Sequence, residues 1–116
     1  MAEEHTFVCY TNWQGLDDGT GVLSTPRMEV NIALPKEFGG TANGTNAEEL
    51  LLSALGSCLT MTLAYILDKK IGETPLIEAN IEGKFMTSPL RLEQVLVTIS
   101  VGKTVAASSL VEEAVR

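Results

Sequence analysis

Residues 47–70 leave almost no polar face on a helix, and that constrains the chain more than any other feature. Leu50, Leu51, Ala54, Leu55, Cys58 and Leu59 are followed by Met61, Thr62, Ala64, Tyr65 and Ile66, and after Glu49 the next charge is Asp68. A helix that is apolar all round has to be covered on every side. Its start is marked by Thr45 or Asn46 as N-cap and by Glu48 and Glu49 in the first turn, where the helix dipole favours carboxylates. Lys69 and Lys70 suit its C-terminal turn and Gly72 its cap. Serine, glycine and threonine interrupt the run and two lysines close it, which argues against a membrane span. A chain of 116 residues has little surface to spare for burying such a helix. We therefore expect a buried central helix and an obligate oligomer that covers the excess.

The rest of the chain reads mainly as strands. Residues 5–13 alternate and are rich in β-formers, which predicts a strand. Residues 14–21 are a Gly- and Asp-rich turn. Residues 22–34 hold strand material broken by Pro26, and Met28, Val30, Ile32 and Leu34 give one apolar face. Residues 35–45 form a glycine-bearing loop. Residues 76–86 and 90–101 alternate around a turn at Thr87–Ser88–Pro89 and predict a hairpin. From 106 a second helix is expected, with Ser108 or Ser109 as N-cap, and it is cut off at Arg116. This order predicts a single α+β domain over 1–116, truncated in its second helix. Its mostly antiparallel sheet packs on the central helix.

Charge and composition narrow the function. The net charge is −7 and the sequence pI about 4.6, which argues against nucleic acid and against anionic membrane surfaces. Residues 1–6 are polar and acidic, unlike a signal peptide. Cys9 and Cys58 are too few for a secreted disulfide framework, so a cytoplasmic protein with reduced thiols is expected. His5 is the sole histidine, leaving no material for a His-based triad or zinc site. The loop at 39–44 lacks a phosphate-loop lysine. No cofactor and no metal are expected.

Cys58 is the candidate nucleophile. Buried cysteines commonly act as small hydrophobes. A reactive one needs its thiolate, and a free thiol ionises only near pH 8.5. Nothing basic adjoins Cys58 in sequence, so an activating cation would have to arrive from elsewhere in the fold.

The stretch from Gly39 to Ala64 sharpens this reading. Gly39-Gly40-Thr41-Ala42-Asn43-Gly44-Thr45-Asn46-Ala47-Glu48-Glu49-Leu50 leads through an alanine- and leucine-bearing run into Cys58. It resembles the signature of the OsmC/Ohr family: a glycine loop, then Gly-Thr-Asn-Pro-Glu-Glu-Leu, then a run into a cysteine. Ala47 stands where that signature has proline, and the spacing from acid to cysteine is kept. The resemblance implies an OsmC-like fold, with a curved antiparallel sheet on a long buried helix, in an intertwined homodimer. It implies a thiol peroxidase that reduces organic hydroperoxides and is regenerated by a dithiol. Carried over residue by residue, Cys58 is the peroxidatic cysteine and Glu48 the acid that orients an arginine.

Two departures leave the function open. The hydroperoxide-resistance branch carries an arginine in a Gly-Gly-Arg-Asp-Gly turn, whereas this chain has Gly15-Leu16-Asp17-Asp18-Gly19. Arg27 is the candidate replacement and reads equally as a solvated strand residue; Lys36 is the runner-up. The family has its second cysteine in the last helix, and this chain stops at Arg116 just before that place; Cys9, alternating with Phe7, reads as a packing residue. The alternative is a non-enzymatic relative that binds a small apolar ligand in the dimer cleft.

Overall fold

A computed structural model of the chain describes residues 2–102, so the expected second helix lies outside the described residues. The described residues fall into two compact units that divide between Leu50 and Leu51. The architecture is α+β, with two antiparallel sheets and one long helix.

The first unit holds a three-stranded sheet in the order β1-β2-β3: β1 is Tyr10–Gln14, β2 Thr20–Thr25 and β3 Met28–Ile32. The strand material expected at 22–34, broken at Pro26, is a tight hairpin, with Pro26 and Arg27 at its tip and Thr25 paired with Met28. Proline presets the backbone for such a corner. The first strand is shorter than expected. Its pairing begins at Tyr10↔Ser24, one residue from the end of β2. Residues 5–9 therefore alternate without a strand to pair with. Cys9 is accordingly outside the sheet and exposed, not a packed strand residue.

The loop after β3 contains a short 3-10 turn at Lys36–Phe38. It is held by a parallel bridge between Ile32 and Thr45. That bridge delivers the chain to α1, Ala47–Ile71. Asn46 is the N-cap: its Oδ1 accepts from the Glu49 N–H at 2.8 Å. Thr45 Oγ1 donates to Glu49 Oε1 at 2.8 Å, so the first turn is closed as its residue types predict.

The second unit packs α1 on a hairpin of β4, Ile77–Met86, and β5, Arg91–Val101. Exposure alternates along β4, with Ile77, Ala79, Ile81, Gly83 and Phe85 facing inward. Val95, Val97, Ile99 and Val101 do the same on β5. Leu63 and Leu67 are fully buried and pack with Ile71, Ile77, Ile99 and Val101. Two glycines let the helix come close. A methyl group added at Gly56 would sit 3.1 Å from Ile81 Cγ1, and one at Gly83 2.9 Å from Leu52 Cδ2.

The expectation of a helix buried on all sides is not met among the described residues. Only the stripe running through Leu52, Gly56, Leu63 and Leu67 meets the hairpin. The opposite stripe, Leu51, Leu55, Met61 and Tyr65, is exposed, with Met61 at 68% and Tyr65 at 64%. A two-stranded hairpin can cover one stripe of a helix, and this helix has two. Its 25 residues are also long and apolar enough to cross a membrane by length and composition.

Candidate functional site

Cys58 stands in the middle of the uncovered stripe. It is exposed, seven residues from both Leu51 and Tyr65, a spacing that returns to the same helix face. The polar atom recorded beside its Sγ is Thr62 Oγ1, one turn on, at 4.0 Å. The hydroxyls beside it on the helix bond back to the backbone: Ser57 Oγ donates to Ser53 O at 2.8 Å and Thr60 Oγ1 to Gly56 O at 3.0 Å. Such back-bonding satisfies the hydroxyls on the helix itself and leaves the thiol as the reactive group of that face. Cys58 is thus a solvent-facing thiol rather than the buried one expected, because no described residue covers the stripe that carries it.

Arg27 and Glu48 both belong to the first unit. Arg27 is exposed at the tip of the β2–β3 hairpin, where its backbone N–H donates to Thr25 Oγ1 at 3.2 Å. Among the described residues no ion pair or hydrogen bond joins its guanidinium to Glu48. Lys36 opens the 3-10 turn and is likewise exposed.

Glu48 is half-buried and lines a cavity of about 300 Å³. The walls come from one face of the sheet (Thr11, Trp13, Leu23, Ile32) and from Ala33 and Leu34 beyond β3. The first turn of α1 closes it with Asn46, Ala47, Glu48 and Leu50. The register explains the sheet face: Trp13, Gly21 and Ile32 are direct cross-strand neighbours, so their side chains share a side. Trp13 is fixed within this wall. Its indole N–H donates to Gly15 O at 2.9 Å. The ring lies against Gly19 and Gly21, where an added methyl group would come within 2.7 and 2.9 Å of it.

Sequence reasoning missed Trp13 and the cavity. The signal was the pair Gly19 and Gly21, one just before β2 and one within it, set against a tryptophan. Unlike that of Glu49, the Glu48 side chain makes no hydrogen bond or ion pair among the described residues. What this arrangement offers is an apolar cavity lined in part by Glu48, whose carboxylate has no partner among the described residues.

Comparison with known proteins agrees with the fold. The chain resembles the organic hydroperoxide resistance protein OsmC of Legionella pneumophila, with a TM-score of 0.75 at 17% identity, over 96% of this chain and 84% of that one. It resembles OhrB of Bacillus subtilis with a TM-score of 0.66 at 19% identity, over 93% and 83%. In sequence it is 32% identical over 83 residues to the uncharacterized protein YmaD of Bacillus subtilis. A match at 25% identity over 88 residues joins it to an uncharacterized protein of Acinetobacter baylyi. These matches cover 72% and 76% of this chain and span 55% and 61% of those relatives. Residues 40–116, the larger part of the chain and the part that contains both Glu48 and Cys58, match the family described as OsmC-like protein, and the chain belongs to that family.

Proposed function

We propose that the protein is a thiol-dependent peroxidase for organic hydroperoxides, with Cys58 as nucleophile. The observation that carries this reading is an exposed thiol at the centre of an apolar helix stripe, within the stretch that matches the OsmC family. An apolar surface around a thiol suits a substrate whose body is hydrocarbon. The Cys58 thiolate attacks one oxygen of the peroxide, the O–O bond breaks, and the alkoxide takes a proton to leave as alcohol. Cys58 is left as sulfenic acid. A dithiol reductant condenses with it to a mixed disulfide, releasing water, and its second thiol then displaces Cys58 as free thiol.

The active form is proposed to be a homodimer in the cytoplasm. A contiguous apolar stripe of this size is a contact surface, and a second copy offers the same stripe under twofold symmetry. The thiolate needs a cation once that surface is dry. Arg27 is proposed to supply it on assembly, with Glu48 orienting the guanidinium through two parallel hydrogen bonds. Consumption of cumene hydroperoxide with dithiothreitol as reductant tests the reading. Cys58→Ser should abolish turnover, and Arg27→Met should slow it by about tenfold or more, roughly 1.4 kcal/mol of transition-state stabilisation. Unchanged turnover in Cys58→Ser would end the enzymatic reading.

A second reading, a non-catalytic binder of a small apolar ligand, is favoured by the cavity beneath Trp13. The two are separated by the rate of Cys58 alkylation against pH. A thiol that reacts fast well below pH 8.5 supports the peroxidase, and an inert one supports the binder.

A further inference from the structure

We infer that the cavity of the first unit binds a small molecule with an apolar body and a cationic head, an ammonium or a guanidinium. The inference deepens the ligand-binding reading, names the chemistry of the ligand and makes no use of Cys58. At about 300 Å³ the chamber is at the lower end of the size range of small-molecule sites, and such sites combine apolar walls with a few placed polar groups. Here the walls are Trp13, Leu23, Ile32, Ala33 and Leu34, and the charged group is Glu48.

Three observations select a cation. Glu48 is half-buried and lines the cavity among those apolar walls, and a carboxylate beside an apolar site gains from a partner of opposite sign. No described residue supplies one. An anion would otherwise be drawn to the start of α1 by the helix dipole, but Glu48 and Glu49 already occupy that turn. Trp13 adds a second attraction. Its N–H is committed to Gly15 and one ring face is against glycine, so what it offers a ligand is hydrocarbon and π surface. That surface favours both an apolar body and an adjacent cation.

Trp13 is the only tryptophan in the chain, so intrinsic fluorescence reads occupancy of the cavity directly. The probes are phenethylammonium, its neutral analogue 2-phenylethanol and the anion phenylacetate. Expected is a saturable change with phenethylammonium, at an affinity about tenfold or more above that of the alcohol, equal to about 1.4 kcal/mol, and no binding of phenylacetate. Glu48→Gln should bring cation and alcohol to within about twofold of each other, with its circular dichroism unchanged. Cys58→Ser should bind as the wild type does. Equal affinity for cation and alcohol in the wild type would overturn the inference while leaving the apolar-binder reading standing. Saturation by none of the probes would overturn both. Binding of the cation in Arg27→Met but not in the wild type would mean that Arg27 of this or another copy fills the site, and would overturn the inference in favour of the arginine.

Discussion

The two faces of α1 are made of nearly the same residues and have opposite fates. One carries Leu52, Gly56, Leu63 and Leu67 and is sealed against the β4–β5 hairpin, with Leu63 1% and Leu67 0% exposed. The other carries Leu51, Leu55, Cys58, Met61 and Tyr65 and faces outward. Hydrophobicity alone does not separate them. What does is the fit to the hairpin. Glycines at 56 and 83 remove the side chains that would hold helix and strand apart, and the packed stripe follows them. The outward face has no such match among the described residues and carries the thiol instead.

Substitutions can break this contrast, and the largest effect is expected on the sealed face. Leu67→Ala should destabilise folding by about 2–5 kcal/mol, the range for truncating a buried leucine. Denaturant unfolding at fixed protein concentration measures it. Next comes Met61→Glu on the outward face. It should leave the far-ultraviolet circular dichroism intact and weaken self-association by about a hundredfold or more, roughly 2.8 kcal/mol. Sedimentation across a concentration series reads this, and unchanged association would show that the stripe is not the dimer surface. Gly56→Val tests the fit itself: with Ile81 Cγ1 already 3.1 Å from an added methyl, overpacking should cost about 1–3 kcal/mol. Cys58→Ala, two positions on and facing outward, should change the stability of the fold by less than about 0.5 kcal/mol, as surface substitutions do. Between these lies Asn46→Ala, which removes the cap common to both faces and should cost about 1 kcal/mol.

The same contrast shows what could be read from the sequence. The helix was legible almost to the residue, because its cap, first-turn carboxylates and closing lysines are local signals. So was the hairpin, since Ile77 to Phe85 and Val95 to Val101 alternate without a break. The division of the helix into a sealed and an open face was not legible, because periodicity identifies a buried face only when the other face is polar. The first strand was overextended through residues 5–9, whose alternation is genuine but whose partner strand ends at Thr25. Cys58 and Glu48 stood out through a motif. The cavity did not, because Trp13, Ile32 and Glu48 are far apart in sequence and meet only through strand register and the Ile32↔Thr45 bridge.

The seat of Trp13 also limits how this chain can change. Gly21 is hemmed in by more than the ring, for an added methyl there would collide with the Asn12 carbonyl oxygen. At Gly19 it would come within 2.8 Å of the Gln14 carbonyl oxygen. Both glycines are therefore fixed by the backbone whatever occupies position 13. The tryptophan is under no such restriction, since a smaller side chain would only vacate space. Variation can thus enter this part of the molecule by one door: replacement at position 13 enlarges the chamber and alters its choice of ligand, while the strands beneath stay as they are. A laboratory selection for new binding preferences would be expected to accumulate its first changes at Trp13 and to leave Gly19 and Gly21 untouched.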